Sequence, residues 1–191
     1  MRDIVLGMSV SLDGYIEGPD RDISWHLVDE EMHRYLNAEL GAMSAFLDGR
    51  VTHELMLSVW PTADADPDCS EWTAEFAAIW RNMPKIVFSR TLENTDWNTT
   101  IVRDLVVEDI LALKERPGGD MALGGAGLAA AFMEHDLVDE YRLFVNPVLI
   151  GGGKPLFPAS GRRVPLRLVQ SRTFGNGVEL LRYRRASEAA T

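Results

Sequence analysis

Twice along this chain a short apolar run ends in glycine and is followed at once by a helical pattern. In the first unit residues 44–47 read as a strand, Asp48-Gly49 as its end, and 52–59 as a helix before Pro61. In the second, Met121-Ala122-Leu123 enters Gly124-Gly125-Ala126-Gly127, and a helical run covers 128–135. Strands that alternate with helices in this way are joined by crossovers. They therefore lie parallel in a sheet that the helices cover.

The other segments fit the same scheme. Residues 2–10 form an apolar run that stops at Asp13-Gly14, which predicts a mostly buried strand. From Asp29, the residues Met32, Tyr35, Leu36, Leu40 and Met43 recur at helical spacing, with Asp29, Glu30 and Glu31 near the positive end of the helix dipole. Trp72, Phe76, Ile79, Trp80 and Met83 mark another helix, capped by Asp68 or Ser70. Strands are expected at 85–89, 99–102 and 140–145, and a helix at 107–116 that Pro117-Gly118-Gly119 ends. Two last strands, 166–173 and 178–184, flank Gly175-Asn176-Gly177 as a hairpin. The expectation is an α/β fold: a mixed, mainly parallel sheet, helices on both faces, and an antiparallel C-terminal hairpin. Residues 1–185 read as a single domain and 186–191 as a frayed tail.

Composition narrows the function. With 46% hydrophobic residues in 191, the chain can bury one sizeable core. It offers no run of about 20 apolar residues for a membrane span, and its start lacks a signal-peptide layout, so a soluble, cytoplasmic protein is expected. A net charge of −10 repels polyanions and argues against DNA or RNA. The lone Cys69 can form no internal disulfide, and neither it nor His26, His33, His53 and His135 shows metal-ligand spacing, so no metal is expected. Trp60 and Trp97 are read as packed aromatics before pocket residues.

A small phosphorylated ligand remains compatible with this charge. Glycine turns between strand and helix present free N–H groups and the positive helix end to a phosphate. Gly49-Arg50-Val51-Thr52 adds a guanidinium and a hydroxyl. Gly124-Gly125-Ala126-Gly127 would let a flat or anionic ligand approach the backbone. Ser89-Arg90-Thr91 supplies a third set of donors. Each turn has a plainer reading, in which glycine only serves backbone geometry.

Together, Met8-Ser9-Val10-Ser11-Leu12-Asp13-Gly14-Tyr15-Ile16, Gly49-Arg50-Val51-Thr52, Val87-Phe88-Ser89-Arg90-Thr91-Leu92, Leu123-Gly124-Gly125-Ala126, and the run from Leu137 to Phe157 with Pro147-Val148-Leu149-Ile150-Gly151-Gly152-Gly153 occur in a familiar order. The chain resembles the dihydrofolate reductase-like superfamily, in the branch containing the reductase domain of riboflavin biosynthesis. That resemblance implies a three-layer fold, NADPH as cofactor, and a homodimer. It carries Gly49, Arg50 and Thr52 onto the cofactor phosphate site, and Ser89 and Arg90 onto the adenosine 2′-phosphate end. Gly124, Gly125, Ala126 and Gly127 fall on the pyrophosphate and nicotinamide approach.

The resemblance also guides the substrate. The riboflavin branch has a basic residue where this chain has Tyr15, and its ribose-phosphate segment and its companion zinc deaminase are absent. Counting from Trp25, as in dihydrofolate reductases, places the substrate carboxylate at Glu30, with Asp29 next; helix capping is the competing role for both. Asp13 reads as a turn former. The expected activity is NADPH-dependent hydride transfer to a small heteroaromatic or imine substrate of pterin, folate or aminopyrimidine type. The alternative is a noncatalytic small-molecule or nucleotide-binding stress protein on the same fold.

Overall fold

The computed structural model describes residues 1–157 and 159–186. Strands β1 (Ile4–Ser11), β3 (Ala45–Gly49), β4 (Lys85–Phe88), β5 (Thr99–Val102), β6 (Met121–Gly124), β7 (Glu140–Asn146), β9 (Leu166–Thr173) and β10 (Glu179–Arg185) form one sheet, in the order β5-β4-β3-β6-β1-β7-β10-β9. The pairings from β5 to β7 are parallel, and β10 is antiparallel to both β7 and β9. The α/β class, the mainly parallel sheet and the terminal hairpin are as the sequence predicts. Of the expected tail, only Ala186 falls within the described residues.

Among the described residues, five α-helices cover the two faces. Helices α4 (Val107–Glu115) and α5 (Ala126–Glu134) place Ile110, Ala129 and Phe132 against Ile4, Leu6, Leu47 and Leu123. On the opposite face, α1 (Glu30–Gly41) and α3 (Glu71–Asn82) pack together. Phe76 and Trp80 of α3 meet Phe46, while Met32 of α1 meets Phe144 and Leu180. Period-two alternation along β3 separates the layers, since Leu47 faces one core and Phe46 the other. Helix α2 (Arg50–Leu57) follows β3 directly.

Two local readings are corrected. Asp48 and Gly49 do not end the second strand early: both belong to β3, with Asp48 opposite Gly124 and Val87. Helix α5 starts at Ala126, with Gly125 as its cap residue, so Gly127 lies in the first turn. Tyr15–Glu17 forms a short strand, β2, that pairs antiparallel with β8 (Lys154–Pro155). That pairing joins segments nearly 140 residues apart, and local pattern carries no trace of it. The cap of α3 resolves to Ser70, whose Oγ accepts from the Thr73 N–H at 3.2 Å.

Asp13 has a definite task. Its carboxylate accepts from the N–H groups of Gly151 at 2.8 Å and Ile150 at 3.3 Å, tying the loop after β1 to the glycine-rich loop after β7.

Candidate functional site

From β1 the chain crosses through α1 to β3 on one side, and from β6 it crosses through α5 to β7 on the other. The helices diverge above the carboxyl ends of β1 and β6. In open α/β sheets such a switch point is where ligands bind. Gly49, Ser89 and Gly124 all stand at this edge, because Gly49 is in register with Phe88, the residue before Ser89, and Asp48 with Gly124. The structure thus gathers the three donor segments singled out in the sequence.

Their geometry differs in detail. Gly125 adopts φ +88°, and a Cβ there would lie 2.5 Å from Thr52 Oγ1. At Gly124 a Cβ would lie 2.6 Å from Asp48 Oδ1. Both positions therefore require glycine, and the two turns press directly on each other through Thr52. Gly127 has open space, while Ala126 is buried. Ser89 Oγ accepts from the N–H groups of Thr91 (3.3 Å) and Leu92 (2.9 Å), shaping the loop after β4. Among the described residues, the exposed Arg50 and Arg90 side chains pair only with Glu54 (2.9 Å) and Asp104 (2.6 Å). Such surface pairs contribute about 0–1 kcal/mol and are readily exchanged for a phosphate.

Beside this edge a cavity of about 250 Å³ lies under α1. Gly7, Ser9, Ala122 and Gly124 form its floor, and their small size leaves the hollow that larger residues would fill. Leu36, Leu40, Phe46, Met56, Phe76 and Phe144 supply apolar walls. Asp48, Thr52, Glu39 and Arg142 bring polar groups into the lining. An apolar hollow with a few convergent polar groups is the general form of a small-molecule site.

The acidic start of α1 is used otherwise. Asp29 Oδ1 caps the helix by accepting from the Met32 N–H at 2.9 Å, Glu30 pairs with Arg34 at 2.8 Å on the surface, and neither lines the cavity. Glu31 accepts from the Gly175 N–H at 2.9 Å and pairs with Arg172, fastening α1 to the hairpin turn. Backbone N–H and guanidinium contacts hold its carboxyl below the usual range. Asn146, fully buried, accepts from the Leu27 N–H at 2.8 Å and so fixes the chain entering α1. Trp60 packs edge-on against Phe76, and Trp97 lies against Trp80.

Asp48 is the polar residue that sequence reasoning missed. It is 6% exposed, and burial pushes its carboxyl up to about 7, with the nearby Lys85 offsetting only part of that cost. Burial also lowers Lys85 to about 8, with Asp48 opposing the shift. Its Nζ donates to the carbonyls of Met83 (2.9 Å), Trp97 (3.0 Å) and Trp80.

The sign of the Asp48 effect follows from linkage. Between the ordinary 3.8 and about 7 the folded chain holds a proton that the unfolded chain releases, so stability falls as pH rises through that window. Asp48→Asn is therefore expected to match wild type near pH 4 and to exceed it at pH 8 by about 1–3 kcal/mol. Each kcal/mol is worth roughly 2–4 °C in Tm for a chain of this size. Thermal melts at the two pH values check this.

The comparisons with known proteins agree with this architecture. The family model of the RibD C-terminal domain matches residues 2–180, and the chain belongs to that family. Its fold is that of the dihydrofolate reductase-like superfamily, in the riboflavin-biosynthesis reductase branch. The uncharacterized protein YyaP of Bacillus subtilis (strain 168) is 36% identical over 183 residues, covering 95% of this chain and 94% of YyaP. A putative riboflavin biosynthesis protein from Shewanella sp. PV-4 superposes with TM-score 0.74 at 23% identity, covering 98% of this chain and all of that one. Dihydrofolate reductase from Enterococcus faecalis, complexed with NADP(H) and RAB-propyl, superposes with TM-score 0.64 at 14% identity, covering 97% of each chain.

Proposed function

We propose that this chain is an NADPH-dependent reductase of a small heteroaromatic or imine substrate, of pterin, folate or aminopyrimidine type. The observation that carries this reading is the adjacency of two features. The glycine turns at Gly49 and Gly124-Gly125 share one sheet edge, and the small-floored cavity under α1 reaches the same residues through Asp48, Thr52 and Gly124.

The cradle suits a dinucleotide. At Gly124 and Gly125 a side chain would collide with the first turn, and backbone close to a ligand has the same requirement. In this reading Gly49, Thr52 and the start of α2 hold phosphate, and Ser89 with Arg90 takes the adenosine 2′-phosphate. Arg50 exchanges Glu54 for a phosphate oxygen. Gly124 to Gly127 line the pyrophosphate and nicotinamide approach. When bound, NADPH supplies the hydride. The protein's part is to hold a flat ring against that edge, exclude water with Leu36, Phe46, Phe76 and Phe144, and deliver a proton.

Thermal shift with NADPH, NADH and NADP+ added separately tests the cofactor class, because a ligand that binds only the folded state raises its apparent stability. A preference for the phosphorylated dinucleotides is expected. Arg50→Ala should then weaken NADPH about tenfold, the loss of one partly exposed charge-assisted contact, and should leave NADH less affected. Equal affinities would return Arg50 to its surface pair with Glu54. Binding without NADPH consumption across a pterin, folate and aminopyrimidine panel would favour a noncatalytic binding protein.

A further inference from the structure

The cavity under α1 has two polar ends. At one, Glu39 and Arg142 pair with each other, and Arg142 also donates to Glu140 at 2.6 Å. At the other stands Asp48, to which no described residue donates a hydrogen bond. Asp48 is 6% exposed and lines the hollow, so the cavity is the open side of its carboxyl, and a carboxyl with no donor among the described residues is left to bond what enters there.

Its surroundings leave the role open for a bound molecule. From β4, Lys85 is already engaged by three carbonyls. From α2, His53 Nε2 lies 2.8 Å from Thr95 Oγ1. From β6 come only the uncharged Ala122, Leu123 and Gly124, and the charged residues on α1 and β7 that line the cavity are the Glu39–Arg142 pair. The α1 carboxylates are committed to the helix cap, Arg34 and the hairpin turn.

Resting on the reductase reading, we propose that the Asp48 carboxyl hydrogen-bonds the nitrogen-bearing edge of the heterocycle in this cavity and hands it the proton that accompanies hydride. Hydride forms the new C–H bond at the ring carbon, and the π pair of the C=N bond moves to nitrogen. That nitrogen takes the Asp48 proton, and water reprotonates the carboxylate. A carboxyl lifted toward neutrality by burial suits this work, because a general acid acts best when its affinity for protons matches the working pH.

The test uses the full chain and 2,4-diaminopyrimidine, a planar ring whose amidine edge pairs with a carboxylate. In wild type, the Asp48 carboxyl carbon followed by ¹³C NMR should titrate near pH 7 and move to lower pH when the probe saturates the site. Asp48→Asn should bind the probe at least about tenfold more weakly, the loss of one charge-assisted contact, with NADPH affinity within twofold of wild type. The proposal is overturned if the probe does not bind, if it binds without moving that resonance, or if Asp48→Asn binds it as wild type does. Loss of binding in Glu30→Gln with Asp48→Asn unaffected would also overturn it and move the role to α1. The wild-type titration decides the matter even if the variant does not fold. Absence of NADPH binding would instead reject the reductase reading while leaving the Asp48–ring contact to its own measurement.

Discussion

Replacing Glu140 by glutamine is expected to cost about 3–5 kcal/mol of stability, the usual penalty for removing one partner from a buried ion network. Glu140 is 3% exposed at the start of β7. Its Oε1 accepts from Arg142 at 2.6 Å and Arg182 at 2.8 Å, and its Oε2 from Arg184 at 3.1 Å. The register sets Arg182 opposite Arg142 and Arg184 opposite Glu140, so without this carboxylate guanidinium groups would face one another across the β7–β10 pair. Burial pushes the Glu140 carboxyl up, yet the hydrogen bonds and charge of these arginines hold it below the usual 4.5. The stabilisation is thus present above that value and is lost as pH falls through the lowered one. Denaturant titrations should show a large gap between wild type and Glu140→Gln at pH 7 that narrows on acidification. A constant gap would mean that shape, and not charge, dominates.

Gly125→Val should abolish cofactor binding. A β-branched residue at φ +88° is strained by about 1–3 kcal/mol, and its Cβ would sit 2.5 Å from Thr52 Oγ1. Relief of that clash must separate the two turns that form the cradle. A rise in NADPH Kd of roughly 100-fold or more corresponds to about 3 kcal/mol, measurable by fluorescence titration. A folded Gly125→Val variant with wild-type affinity would exclude this turn from the site. Gly127→Ala offers a finer probe. Beyond its own helix backbone and chain neighbours, its added carbon meets no described protein atom within 4 Å, so any lost NADPH affinity would report contact with the ligand itself.

The glycine turns were legible in the sequence because glycine is demanded by local backbone geometry, which a short window records. Asp48 was hidden for the same reason. Asp followed by Gly is a strong turn signal, and the partners that hold Asp48 in a strand, Gly124 and Val87, are remote in sequence. The acidic cluster at α1 was legible as helix-favouring charge. The division of labour among Asp29, Glu30 and Glu31 was not, since it depends on where Arg172 and Gly175 return in space. The Glu140 network left a partial trace. Glu140 and Arg142, and likewise Arg182 and Arg184, are two residues apart on strands and so share a face, but nothing local shows that the two pairs meet.

The placement of β1 bears on how this chain is made. Strand β1 is flanked by β6 and β7, whose residues follow more than a hundred positions later. At roughly 5–20 residues per second, Ile4, Val5 and Leu6 wait on the order of 10 s without a hydrogen-bonded neighbour. Meanwhile β3, β4 and β5 can pair in sequence order. Translation thus lets the β5-β4-β3 side of the sheet pair first, while the apolar β1 stretch stays unpaired until β6 and β7 have been made.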